Sequence, residues 1–259
     1  MPEGDTILRT ARTLDAALSG KMVRRFETVL PKLARVDDET PIAGRTIERV
    51  SAVGKHLLIG FSGALHLRTH MRMNGSWHIY RPGERWQRRR EDMRIVIATD
   101  DYVAVAFNVP VAEFLDDRAL ERQQDLRQLG PDVLSSSFDA GEAIRRLRSR
   151  TGIEIANALL DQRAIAGIGN IWKSETLFAC RINPFVNVES LSDDQIRCLI
   201  DKARKLLGRS ATATTPNDLS VYSRTGKPCR RCRTPIVSRK QGFEARLTYW
   251  CPECQRGVG

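Results

Sequence analysis

The sequence predicts an α+β chain in several domains, and three observations carry that expectation. Short alternating apolar segments recur between residues 23 and 107, at the period of half-buried antiparallel strands. Apolar positions then fall at helical spacing from about Ala112 to Gly208. Two Cys-x-x-Cys pairs stand near the end of the chain, at a spacing suited to one metal ion. The expected domains are 1–111, 112–220 and 221–259.

The elements follow in order. Asp5 or Thr6 precedes Ile7, Ala11, Leu14 and Leu18, an apolar stripe that predicts a leading helix ended by Gly20. Strands are expected in 23–30, 45–53, 55–61, 64–71 and 76–80, each bounded by Gly or polar turns. Two more, RIVIAT (94–99) and YVAVAF (102–107), flank Asp100-Asp101 as a hairpin, and the set predicts a β-sandwich. Between strands lies RPGERWQRRRED (81–92), an arginine-dense loop that suits either phosphate contact or plain solvation. Helices are expected in 119–130, stopped by Gly130-Pro131, then in SFDAGEAIRRLRSR, in 151–161 and in 170–179, the last two joined by QRAIAGIG. Ser192 with Gln195 forms a capping-box pattern opening 193–208. A polar stretch, 209–220, serves as linker, and IVSRKQGFEARLTYW reads as two strands.

A chain of 259 residues with 41% hydrophobic residues has enough apolar content for real cores. Its 42 Lys+Arg against 31 Asp+Glu give a net charge of +11, which argues for a polyanionic partner, nucleic acid first. No run of about 18 apolar residues is present and no signal-peptide pattern opens the chain, so a cytoplasmic protein without a membrane partner is expected. Of six cysteines, Cys180 and Cys198 sit on apolar helical patterns and are expected as core thiols.

Cys229, Cys232, Cys251 and Cys254 form C-x2-C and C-x2-C pairs separated by 18 residues. Four thiolates at this spacing fit one tetrahedral structural zinc with no open coordination position. Arg231, Arg233, Arg239, Lys240 and Arg246 crowd the same segment, as a phosphate-gripping hairpin would require.

The opening MPEGDT raises a chemical question. With Met1 removed, Pro2 carries a secondary amine, with an α-amino pKa of roughly 7.7–8.0, that can attack a sugar C1′ and yield an iminium ion. Glu3 would be the adjacent acid and base. The six residues alone better suit an ordinary helix cap.

The motifs MPEGDT, GKHLL (54–58), HMRMNGSW (70–77), LGPDVL (129–134), LLDQRAIAGIGNIWKSETLF (159–178) and CRRC…RLTYWCPEC occur in this order over nearly the whole chain. Together they resemble the bacterial formamidopyrimidine-DNA glycosylase/endonuclease VIII family. The resemblance implies an N-terminal β-sandwich with a leading helix, a helix-two-turn-helix domain and a C-terminal zinc finger β-hairpin. It also implies a DNA glycosylase and AP lyase of base excision repair that flips the damaged base from the stack. Pro2 is then the nucleophile and Glu3 the proton donor, with Lys55 assigned to β-elimination and Arg246 to δ-elimination. Met73 is the apolar wedge, with Arg72 and Asn74 able to bond the orphaned base. Asn170 lies at a helix N-terminus, as N-cap or DNA contact. His70 and Glu175 are expected to be structural.

Departures bear on the substrate. The formamidopyrimidine branch carries an RRFG stretch, absent from FNVPVAEFL here, while PEGDT and GSW lean toward endonuclease VIII and oxidised pyrimidines. Thr6 stands where the family has a glutamate. Gln128, with Arg127 beside it as candidate DNA contact, stands where some relatives have an arginine, and VYSR (221–224) replaces VYGR. Two alternatives stay open: a noncatalytic zinc-containing DNA-binding or lesion-sensing protein, and a glycosylase preferring formamidopyrimidine or 8-oxoguanine. A monomer acting on damaged DNA at the bacterial nucleoid is expected.

Overall fold

A computed structural model describes residues 2–215 and 218–256. Met1, on which the processing expectation falls, lies outside the described residues, as do Pro216 and Asn217 of the polar linker. The chain divides into two compact units. Pro2 and Thr6–Arg127 belong to the first, while Glu3–Asp5 belong with Gln128 onward.

The first unit is a sandwich of two antiparallel four-stranded sheets. Its helix α1 (Gly4–Leu18) turns Ile7, Ala11, Leu14 and Leu18 onto one buried face, as their spacing dictates. One sheet holds β2 (Ile47–Val53), β3 (His56–Phe61), β4 (Leu65–His70) and β8 (Val111–Asp116) in that order. The other runs β1 (Arg25–Thr28), β6 (Met93–Ala98), β7 (Val103–Phe107), β5 (Ser76–Tyr80). Leu57, Ile59, Phe61 and Leu67 of the first sheet and Ile95, Ile97, Ala104 and Ala106 of the second share one core with α1. All five residues of β7 are buried, because a second cluster, including Tyr80, Val105 and Phe107, packs on the outer face beneath Trp86.

Three elements of this unit differ from the sequence expectation. Residues after Ala112 begin as strand β8 and not as helix, because β4 supplies a register from Leu65↔Asp116 to His70↔Val111 and Phe114 packs against Phe26 and Phe61. Helix α2 (Pro31–Glu39) is unannounced by periodicity, since it buries only Leu33 and rests on Pro31 at its first turn. The helix expected over 119–130 is two short pieces, α3 (Asp117–Arg122) and α4 (Gln124–Arg127).

The second unit contains α5 (Ala140–Arg148), the single turn α6 (Ile155–Ala158), α7 (Asn170–Ala179) and α8 (Asp193–Thr212). The helix expected over 151–161 is thus confined to four residues. The Ser192–Gln195 capping box opens α8 as the sequence indicates. At its other end α8 continues four residues past Gly208 into the expected linker, where Ser210 is buried and donates to the Asp5 carboxylate. Helix α7 is buried from Trp172 to Phe178. The hairpin β9 (Val237–Gln241) and β10 (Arg246–Trp250) pairs in register from Arg246↔Gln241 to Trp250↔Val237.

The expectation for Cys180 and Cys198 is corrected. They are half-buried and bonded to each other, with Cα atoms 6.2 Å apart, linking the C-cap of α7 to α8. Helical periodicity marked both as inward-facing but carries no information on which inward side chains meet.

Candidate functional site

The carboxylate of Glu3 is 1% exposed and sits on the N-terminus of α7. Its Oε1 accepts from Ile171 N at 2.7 Å, and its Oε2 accepts from Gly169 N at 3.1 Å and Trp172 N at 3.2 Å. A helix N-terminus leaves such donors without intrahelical partners and carries partial positive charge, so a carboxylate satisfies both at once. Gly169 is required at this position: a Cβ there would lie 2.3 Å from Glu3 Cδ. Gly4 is equally constrained, since its N donates to Gly167 O at 2.9 Å and a Cβ on it would lie 2.9 Å from Gly167 Cα. The two glycines of GIGN thus admit the chain's own beginning, a use that turn propensity alone does not reveal.

Asn170 is the first residue of α7, and Gly169 is its N-cap, which corrects the capping role considered for Asn170. Asn170 Nδ2 donates to Leu247 O at 2.9 Å, and its Oδ1 accepts from Lys173 Nζ at 2.7 Å. Lys173 is 1% exposed and also donates to Thr248 Oγ1 at 2.7 Å, and that hydroxyl donates to Gln241 Oε1 at 2.6 Å. Burial, then the nearby Arg246 charge, push the Lys173 amine down to about 7, against the opposing pull of Glu3. Arg246 opens β10, half-buried, and pairs with Glu244. Glu3, Asn170, Lys173 and Arg246 therefore form one neighbourhood in the second unit. Lys173 and Thr248 escaped the sequence reading; the i,i+3 spacing of Asn170 and Lys173 on one helix face was the available signal.

In the first unit, Lys55 lies half-buried in the turn between β2 and β3. His70, at the end of β4, is pushed down to about 4 by burial first and then by the charges of Arg72 and Lys55, which places these three side chains in one patch. Its Nδ1 accepts from Arg72 N at 3.0 Å, which braces the start of the turn that carries Met73. Arg72, with φ of 50°, Met73 and Asn74 are exposed in the turn between β4 and β5, and Met73 is 62% exposed. A methionine this exposed contributes nothing to the core. Arg127 ends α4, exposed, and Pro2 is half-buried ahead of α1. Glu175 is structural: its carboxylate accepts from Ser220 N, Val221 N and Tyr222 N at 2.8, 2.9 and 2.9 Å.

The Sγ atoms of Cys229, Cys232, Cys251 and Cys254 all lie within 4.8 Å of one another. Separations of 3.9 Å (Cys229 to Cys254), 3.4 Å (Cys232 to Cys251) and 3.4 Å (Cys232 to Cys254) surround the ~3.8 Å edge of a tetrahedron with ~2.3 Å zinc–sulfur bonds. Arg231 N and Cys254 N donate to Cys229 Sγ and Cys251 Sγ, both at 3.4 Å, which favours thiolates. The residues fit a structural zinc, held by these four cysteines, whose contribution is folding energy for the hairpin that carries Arg246.

A β-sandwich, a helical unit with its glycine turn and a four-cysteine finger define a DNA-repair enzyme of the glycosylase fold. Residues 1–130 match the model of the formamidopyrimidine-DNA glycosylase N-terminal domain, 129–218 that of the formamidopyrimidine-DNA glycosylase H2TH domain, and 226–257 that of the zinc finger found in FPG and IleRS. The chain is 39% identical over 267 residues to the probable endonuclease 8 2 of Streptomyces coelicolor, covering 99% of this chain and 95% of that one. It is 36% identical over 264 residues to the DNA-(apurinic or apyrimidinic site) lyase Nei2 of Mycolicibacterium smegmatis, covering 98% and 99%. The structure of Lactococcus lactis Fpg in complex with abasic-site DNA superposes with a TM-score of 0.86 at 24% identity, over 99% of this chain and 100% of that one. The chain belongs to the formamidopyrimidine-DNA glycosylase/endonuclease 8 family. No described helix is long and apolar enough to cross a membrane.

Proposed function

We propose that this chain excises oxidised bases, pyrimidines foremost, from DNA through an imine formed by Pro2, and then cleaves the strand by β- and δ-elimination. The observation that carries the reading is the seat of Glu3. Three backbone N–H groups hold its carboxylate, and the residue bonded to it is Pro2. A nucleophile must be held near its target, and tethering the adjacent side chain removes most of the freedom of a chain terminus.

The Pro2 nitrogen uses its lone pair to attack C1′, and the C1′–base bond breaks with its electron pair going to the base, which takes up a proton. The attached nitrogen gives its proton to the Glu3 carboxylate, which passes it to the sugar ring oxygen as the C1′–O4′ bond breaks, and ring opening leaves the iminium ion. That cation acidifies C2′; loss of the C2′ proton and departure of the 3′ phosphate complete β-elimination. A second elimination releases the 5′ phosphate. Lys55 is assigned to the first elimination and Arg246 to the second, each as a cation beside a departing phosphate. Arg72, Met73 and Asn74 fill the gap left by the flipped base. Asn170, whose side chain also hydrogen-bonds to Leu247 O and to the Tyr222 side chain, and Arg127 are assigned to the DNA backbone. The similarity to proteins named endonuclease 8 supports the pyrimidine preference.

Borohydride added to protein and abasic-site duplex will trap a covalent complex, and Pro2→Gly or one extra residue ahead of Pro2 will weaken or abolish it. Duplex binding without any trapped species would overturn the reading. On duplexes bearing one defined lesion each, an oxidised pyrimidine is expected to be released faster than 8-oxoguanine, and the reverse order would overturn the preference.

A further inference from the structure

The segment 81–92, RPGERWQRRRED, lies outside the chemistry above, although it concentrates five arginines against three acids. With Arg25 of β1, its arginines Arg81, Arg85, Arg88, Arg89 and Arg90 line a cleft of about 610 Å³ in the first unit, with Trp86 in its wall. Four contacts hold the loop in shape. Arg81 N donates to Glu84 Oε2 at 2.8 Å, and Gln87 N donates to Tyr80 Oη at 3.2 Å. The Trp86 ring lies 5.7 Å from Phe107 and 6.4 Å from Tyr80, on the outer apolar cluster of the sheet. The backbone carrying the arginines is thus anchored to the sandwich.

The charges divide into two groups. Arg25 pairs with Glu27 at 2.6 Å, Arg89 with Glu91 at 2.6 Å, and Arg81 lies 4.4 Å from the centre of the Tyr102 ring. Arg85, Arg88 and Arg90 have no carboxylate at ion-pair distance among the described residues, and all three are exposed. Arg90 lies 5.8 Å from the centre of the Trp86 ring. Like charges gathered on one anchored loop repel one another, and a bound polyanion relieves that cost.

We propose that this cleft is a second nucleic-acid contact, in which Arg85, Arg88 and Arg90 engage successive backbone phosphates independently of the lesion site. The planar guanidinium fork matches phosphate oxygens in pairs. The exposure of these side chains favours an extended polyanion passing over the cleft, not an enclosed small molecule. The inference adds to the glycosylase reading and is tested without chemistry.

The test measures affinity for a fluorescent undamaged duplex of about 30 base pairs across a salt series. Each lost phosphate contact reduces the slope of log K against log salt by ~0.9, so the triple change Arg85→Ala, Arg88→Ala and Arg90→Ala should reduce it by about 2.7. Affinity should fall about tenfold or more at 0.1 M salt. Removing Arg12, Lys32 and Arg35, three exposed cations on α1 and α2, deletes the same charge and should leave the slope within about 1 of the parent. An unchanged slope in the first triple variant, or an equal drop in the second, overturns the proposal. So does loss of ATP binding without a change in the DNA slope, which would make the cleft a nucleotide site. Borohydride trapping on abasic duplex at saturating protein and low salt should be unchanged by the cleft variant, so failure of the imine reading registers separately.

Discussion

Alanine at position 169 tests whether the seat of Glu3 organises catalysis. Gly169 has φ of −122° and ψ of −164°, a backbone that alanine adopts freely, so the change introduces contact without backbone strain. The added Cβ would lie 2.3 Å from Glu3 Cδ, 2.5 Å from its Cγ and 2.6 Å from its Oε1, where ordinary contact begins near 3.4 Å. The carboxyl must withdraw by about 1 Å, stretching bonds to Gly169 N, Ile171 N and Trp172 N that now measure 3.1, 2.7 and 3.2 Å. A displacement of about 1 Å at a reacting group costs ~10²-fold in rate, or ~2.7 kcal/mol of barrier. Single-turnover base release from a lesion-bearing duplex should therefore slow by about two orders of magnitude in Gly169→Ala. The protein should remain folded by thermal melting. Gly208→Ala is the control: nothing lies within 4 Å of its added Cβ, and it should raise stability by up to ~1 kcal/mol with no loss of rate. Base release at the parental rate by folded Gly169→Ala would refute the role of the seat.

Two further expectations follow from the same unit. Lys173 titrates near 10.5 when unfolded and about 7 when folded, so below pH 7 both states bind its proton and the burial cost is fully present, whereas between pH 7 and 10.5 the unfolded state binds more and stability rises with pH. Urea melts of the parent against Lys173→Met at pH 6 and pH 9 should show the parent gaining ~2.7 kcal/mol relative to the variant, and a pH-independent difference would refute the assignment. Cys251→Ser should lose zinc by metal analysis and weaken binding to abasic duplex while strand content by circular dichroism is largely kept; full affinity after verified metal loss would show that the finger is dispensable for binding.

Much of the fold was legible because its signals are local. Apolar alternation placed β1 through β7 to within a few residues, and the 3.6-residue stripe placed α1. Ser192 and Gln195 placed the start of α8. The spacing of Cys229, Cys232, Cys251 and Cys254 announced the metal site because ligand geometry leaves few other uses for two such pairs. The misses have two kinds of cause: α2 presents only one buried apolar side chain, and β8 becomes a strand only through the register that the distant β4 offers it.

Residue types and their spacing by themselves indicated the four-thiolate metal site, and the order of the motifs, through the family they resemble, suggested the candidate chemistry at Pro2, Glu3, Lys55 and Arg246. Tertiary structure alone decided that Glu3 closes on backbone donors 166 to 169 residues away, that Lys173 is buried against Thr248, and that Cys180 meets Cys198. The physical reason is range. Periodicity records which side of an element is apolar, but hydrogen bonds and burial at a site depend on which distant backbone arrives there, and that is settled by packing the whole chain at once.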